Sequence, residues 1–208
     1  TRFPMPIYTN LSEQEVEAHF DALEALNRIP DHHFLGAGAY AHFIPSVVKA
    51  LIGRAEFYTA YTPYQPEVSQ GTLQALFEFQ TIMRRLLGTD LANSSLYEGA
   101  SAAAEAVLLA RRATKKQKVI LARSVHPEYR EVIRTYLGND GVTEVGWTQS
   151  GSVDLEAIAK VLSDDTACVV VQSPNFFGVI ERLEKIKALG GERKALLVAV
   201  VNEPVSLG

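Results

Sequence analysis

The sequence predicts an α/β fold with a mainly parallel sheet flanked by helices, preceded by an irregular amino-terminal arm. Two observations carry this. From about Pro66 onward, short runs rich in β-branched residues alternate with amphipathic stretches of helical length, the pattern of a sheet whose strands are joined by crossover helices. The 208 residues, 47% hydrophobic and 21% charged, are also enough for one large domain or two small ones around a sizeable core.

Residues 1–65 form the predicted arm, an irregular stretch rich in Pro and His with one clear helix. That helix is "LSEQEVEAHFDALEAL", where Ser12 and Glu15 make a capping-box pair and apolar residues recur at helical spacing. Residues 66–208 form the predicted α/β domain. Its helices read as Pro66–Leu87, Gly99–Arg112, Pro127–Leu137, Val153–Leu162 and Glu181–Leu189, and its strands as "KVILARS", "TEVGW", "ACVVVQS" and "ALLVAVV". No internal repeat and no low-complexity linker interrupts them. The chain opens on Thr1 rather than Met and "VNEPVSLG" directly follows an apolar strand, so a longer parent chain is expected.

Composition narrows the function. A formal net charge of −4 and a pI near 5.8 supply no basic field for nucleic acid. The run Arg111, Arg112, Lys115, Lys116 and Lys118 follows an Ala/Leu helix and reads as its solvated end, where cations suit the helix dipole. The single Cys168 sits inside "TACVVVQ" and reads as a small buried hydrophobe. One cysteine makes no internal disulfide, and there is no membrane-spanning run or signal-peptide pattern, so a soluble cytoplasmic protein is expected. His32 and His33 are adjacent and have no cysteine cluster beside them, so no metal site is expected. Gly36 and Gly38 follow no strand, as a dinucleotide fingerprint would require, and read as a close-packed turn, with Tyr40 and His42 beside it read as packing.

Open parallel sheets bind ligands just beyond the carboxyl ends of their strands. "SVHPEYR", "QSPNFFG" and "VNEP" follow three of the strands here and put His126, Ser173, Asn175, Asn202 and Glu203 on one rim. A second constellation is "NSSLYEGASAAAEAVLLA", with Tyr97, Glu98, Gly99 and Ser101 at the start of an Ala-rich helix. Gly99 lets backbone N–H groups approach an anion there, whereas the Glu98 carboxylate repels one. Geometry suggests a phosphate cradle, and charge suggests that the cradle is empty.

Six segments together, "FLGAGAYAHFIPSVV", "EFYTAYTPYQPEVSQGTLQALFEFQT", "YEGASAAAEA", "VHPEYREV", "VVVQSPNFFGVIE" and "VVNEPVSLG", resemble the first subunit of the split, two-subunit form of glycine decarboxylase, the P-protein of the glycine cleavage system. The resemblance runs from about Phe34 to Gly208, and "TAYTPYQPEVSQG" is its most specific stretch. It implies a fold-type-I pyridoxal-phosphate architecture. It also implies a part in the decarboxylation of glycine, with transfer of the aminomethyl group to the lipoyl arm of the carrier H-protein. Such chemistry needs a lysine to carry the cofactor as a Schiff base. None of the chain's eight lysines stands at a promising strand end. The resemblance assigns that lysine to a second glycine decarboxylase subunit, which binds most of the cofactor in a heterotetramer, and makes this chain a degenerate copy completing the site across the interface.

In that setting the loop Tyr61, Thr62, Tyr64, Gln65 and Glu67, braced by Pro63 and Pro66, is expected to reach into the neighbouring subunit's pocket. Pro66 and Glu67 also suit the first turn of the helix that follows. Two other readings stay open. One is a non-catalytic structural subunit of the same complex. The other is a stand-alone pyridoxal-phosphate aminotransferase or decarboxylase, which needs a lysine beyond Gly208.

Overall fold

A computed structural model describes residues 10–32, 40–138 and 141–207. Gly36, Gly38 and His33 lie outside the described residues. The chain divides into two compact units, Thr1–Gly36 and Ala37–Gly208.

The first unit contains α1, Glu13–Glu24. Both halves of its capping box form: the Ser12 backbone N–H donates to the Glu15 carboxylate at 2.7 Å, and the Glu15 N–H donates to Ser12 Oγ at 3.4 Å. Two orphan donors of the first turn are satisfied without tertiary help.

The second unit opens with α2 (Ser46–Ile52), α3 (Ala55–Tyr58) and the long α4 (Gln70–Leu87). The α4 helix starts four residues later than its periodicity predicts. Residues 66–68 form a separate turn instead, in which the N–H groups of Val68 and Ser69 both donate to the Gln65 carbonyl. Its end follows local chemistry: Gly88 adopts φ +64°, a left-handed cap that suits glycine.

The core follows: α5 (Gly99–Thr114), β1 (Lys118–Ala122), α6 (Pro127–Leu137), β2 (Val142–Val145), α7 (Leu155–Val161), β3 (Thr166–Gln172), α8 (Leu183–Glu192) and β4 (Leu196–Val200), then a 3-10 turn, Pro204–Leu207. The four strands are all parallel in the order β2-β1-β3-β4, with Val119 beside Val142, Val119 beside Cys168 and Cys168 beside Leu196. Every residue of β3 is buried, which is why "TACVVVQ" reads as an unbroken apolar run rather than an alternating one. The connections β1–α6–β2 and β3–α8–β4 lead outward from the centre in opposite directions and α5 packs on α6, so with the usual right-handed crossovers α5 and α6 cover one face and α7 and α8 the other. The sheet's topological switch point therefore falls between β1 and β3.

Cys168 is at the centre of β3 with no exposed surface, and burial pushes its thiol up to about 12. The folded chain is expected to resist an aromatic disulfide reagent at neutral pH and to react stoichiometrically once denatured, as absorbance of the released thiolate would show. The unfolded thiol ionises near pH 8.5 and the folded one much later, so this residue costs stability only as pH climbs from about 9 toward 12.

Candidate functional site

The site grows from the loops that leave the carboxyl ends of β1, β3 and β4. After β1, Ser124 and Val125 are buried and His126 caps α6, its Nδ1 accepting from the Glu128 N–H at 3.2 Å, with Pro127 in the first turn. The imidazole lies 5.4 Å from the Tyr129 ring and meets the Phe176 ring edge-on at 5.3 Å. After β3, the Ser173-Pro174 bond is cis and the chain turns through Asn175 to Gly178. After β4, Asn202 is half-buried and Glu203 Oε2 lies 2.9 Å from His42 Nε2. That contact ties the segment before α2 to the end of the sheet.

The switch point is stitched across by the chain itself. The His126 N–H donates to Gln172 Oε1 at 2.8 Å, and the Phe176 N–H donates to the Ser124 carbonyl at 2.8 Å. Beneath this lies Glu181, only 6% exposed. Its carboxylate accepts from the Val153 N–H at 3.0 and 3.1 Å, from Asn175 Nδ2 at 2.7 Å and from Ser124 Oγ at 3.5 Å. The Glu181 N–H in turn donates to Ser173 Oγ. Asn175 spends its whole side chain here: Nδ2 donates to Glu181 and to the Gly151 carbonyl, and Oδ1 accepts from the N–H groups of Phe177 and Val179. Ser173 and Asn175 thus brace the rim. Sequence periodicity assigns Glu181 to the first turn of a helix, but α8 begins at Leu183 and Glu181 points inward. The one hint of this in the sequence is a carboxylate directly after "NFFGVI", a position that burial makes costly unless it is fully hydrogen-bonded.

At the start of α5, Glu98 is the N-cap. One carboxylate oxygen accepts from the Ala100 N–H at 2.5 Å and the other from the Ser101 N–H at 2.7 Å. The Ser101 hydroxyl donates to the Glu98 carbonyl at 3.0 Å. Hydrogen bonds from Ser101 hold the Glu98 carboxyl below the usual range. Gly99 faces Tyr129 so closely that an added Cβ would stand 2.1 Å from the phenol oxygen and 2.8 Å from Cζ. Burial raises the Tyr129 pKa, with Glu98 and Glu128 adding to it. Gly99→Ala is expected to destabilise the fold by about 1–2 kcal/mol, because the rigid phenol must move. That is the opposite sign from an unhindered Gly-to-Ala change in a helix, and thermal melting checks it.

The remaining predicted residues stand apart from this rim chemistry in being open to solvent. Tyr61 is 85%, Tyr64 81% and Tyr97 fully exposed, and Thr62, Gln65 and Glu67 are exposed too. The Tyr64 N–H donates to the Thr62 carbonyl at 2.8 Å, a tight turn around Pro63. Among the described residues, no side chain of this loop makes a hydrogen bond.

The residues of this chain do not fit pyridoxal phosphate. Lys115, Lys116, Lys118 and Lys194 lie near the amino ends of the strands, with Lys116 Nζ donating to the Arg193 and Lys194 carbonyls. Lys49, Lys160, Lys185 and Lys187 belong to α2, α7 and α8. The helix start that would seat a phosphate holds Glu98, and the switch point is bridged. Among the described residues, no cluster of potential metal ligands occurs and no helix is long and apolar enough to cross a membrane.

The family model "Glycine cleavage system P-protein" matches residues 2–208. A protein of Desulfitobacterium hafniense named "Probable glycine dehydrogenase (decarboxylating) subunit 1" is 52% identical over 208 residues, covering 98% of this chain and 46% of the relative. A protein of the same name from Geobacillus thermodenitrificans is 51% identical over 201 residues, covering 95% and 44%. The chain spans about half the length of the curated relatives it matches. Among solved structures, a crystal structure of glycine decarboxylase (P-protein) of the glycine cleavage system, in inhibitor-bound form, superposes with a TM-score of 0.85 at 44% identity, over 98% of this chain and 46% of that one. A sphingosine-1-phosphate lyase of Burkholderia pseudomallei shares the fold alone, at TM-score 0.66 and 16% identity over 96% of this chain and 49% of that one.

Proposed function

The chain belongs to the glycine cleavage system P-protein family, and from that premise we propose that it is part of the first subunit of a two-subunit glycine decarboxylase. The assembled enzyme releases CO2 from glycine and passes the aminomethyl group to the lipoyl carrier H-protein. Pyridoxal phosphate, held by the second subunit, supplies the electron sink for that decarboxylation. This chain supplies no lysine to the cofactor. Its contribution is the exposed loop of Tyr61, Thr62, Tyr64, Gln65 and Glu67, which enters the partner's pocket and orients glycine, with Tyr97, Asn202 and Glu203 on the same chain as further candidates for the pocket wall.

The observation that carries this reading is the close match to a glycine decarboxylase structure in a chain whose rim, among the described residues, presents no lysine and whose α5 start is occupied by the Glu98 carboxylate. Assembly with a partner is supported by α4, which has an amphipathic sequence but no buried residue: Phe77, Ile82 and Leu86 are each more than 60% exposed. A cytoplasmic, heterotetrameric enzyme with residues 1–65 as an arm and 66–208 as the α/β domain completes the proposal.

Mixing the full-length subunit with its partner tests it. Release of labelled CO2 from glycine in the presence of the lipoyl carrier is expected only from the mixture. Equal activity from the full-length first subunit alone would overturn the proposal in favour of a stand-alone enzyme.

A further inference from the structure

We infer that Glu98 is a built-in anion: its carboxylate takes the place of a ligand phosphate at the start of α5 and keeps phosphate esters out of this chain. The inference concerns this chain alone and holds whether or not the assembled enzyme decarboxylates glycine.

The start of α5 stands at the ligand-binding rim, because Gly99 abuts Tyr129, whose ring lies 5.4 Å from His126 at the carboxyl end of β1. A helix start in that position, of 16 residues and with a glycine at its first position, offers donors that commonly hold phosphate. Here the donors after Gly99 are already used, the Ala100 and Ser101 N–H groups by the Glu98 carboxylate and the Ala102 N–H by the Glu98 carbonyl. The two Glu98 oxygens accept separately from successive N–H groups, at 2.5 and 2.7 Å, a two-point grip that a phosphate would otherwise make. The Ser101 hydroxyl, a third donor, is turned back onto the Glu98 carbonyl at 3.0 Å.

The residue type is informative. Ser, Thr, Asp and Asn are the usual caps because their short side chains reach one N–H without bending. Glutamate has one more methylene, and here it uses that reach to straddle two. Tyr129 then closes the space over Gly99, leaving no room even for a methyl group. A phosphate entering this seat would have to displace a carboxylate from charge-assisted bonds and sit beside it, against repulsion between like charges.

The test uses the full-length subunit in three forms: the natural one, Glu98→Ser and Glu98→Asp. Serine is a preferred cap, so the helix keeps its first turn while losing the charge and the reach. Inorganic phosphate is titrated while the melting temperature and the amide resonances of Ala100 and Ser101 are followed. Glu98→Ser is expected to bind phosphate at least about tenfold more tightly than the natural protein, with a concentration-dependent rise in melting temperature and shifts confined to those amides. The natural protein and Glu98→Asp should show only the general stabilisation that phosphate gives any folded chain. If the serine variant melts without a cooperative transition, Glu98→Gln is titrated in the same way, with the same result expected. The same phosphate response in charged and uncharged forms would overturn the inference, since Glu98 would then be an ordinary cap that excludes nothing.

Discussion

Gln65→Ala in the full-length subunit, assembled with its partner, is expected to lower glycine turnover about 100-fold and leave the assembly intact. Pro63 sits in a three-residue turn closed from the Tyr64 N–H to the Thr62 carbonyl, and the Gln65 carbonyl accepts from Val68 and Ser69. Both sides of Gln65 are therefore fixed, and its side chain is presented on a stiff platform that loses little freedom on docking. Side chains so exposed and so devoid of internal partners contribute little to this chain's own stability. Their loss is read instead in the positioning of a substrate, where misplacement by about 1 Å costs roughly 10²-fold. Tyr64→Phe, which removes only the hydroxyl, separates hydrogen bonding from packing. Gel filtration reports the assembly, and dissociation of the Gln65→Ala complex would favour the purely structural subunit.

Glu181→Ala should have the largest effect on stability, a loss of about 3 kcal/mol. The carboxylate gathers the Val153 N–H, Asn175 Nδ2 and Ser124 Oγ in a space that is almost closed to water. Truncation leaves several buried donors unpaired as well as a cavity, and each unpaired donor costs about 1–3 kcal/mol before relaxation. For a domain of this size the melting temperature should fall by about 6–12 °C. Glu181→Gln preserves volume and acceptor but buries an amide in place of an oxygen, so an intermediate loss is expected. Amide exchange at Val153 should accelerate in both variants, which ties the loss to this network rather than to the core at large.

Periodicity makes the sheet and its helices legible because burial decides both. The unbroken apolar run of β3 and the Pro127 helix start are local signals that the tertiary structure keeps, and α6 spans the predicted residues without change. Boundaries move where turn chemistry competes with period. Pro66 looks like a helix start, but the bonds to the Gln65 carbonyl make residues 66–68 a turn, and α4 waits for Gln70. The candidate site is legible only in part. Rim residues follow from strand ends, and the tension between Gly99 and Glu98 is visible from charge alone. Whether a polar rim residue faces a ligand or its own chain depends on long-range geometry, and so Asn175 and Gln172 turn out to be committed inward. Glu181 is hidden for the same reason, since its partners lie at positions 124, 153 and 175 and no spacing along the sequence announces them. The apolar stripe of α4 is readable as a stripe, but what covers it is not written in this chain.

The proposal on which the rest depends is that this chain belongs to a pyridoxal-phosphate enzyme without itself holding the cofactor. Borohydride reduction of the assembled two-subunit enzyme loaded with pyridoxal phosphate, followed by peptide mass mapping, tests it most directly. A single reduced pyridoxyl group is expected on a lysine of the second subunit and none on this chain. A stoichiometric adduct on any of the lysines from Lys49 to Lys194 would contradict it.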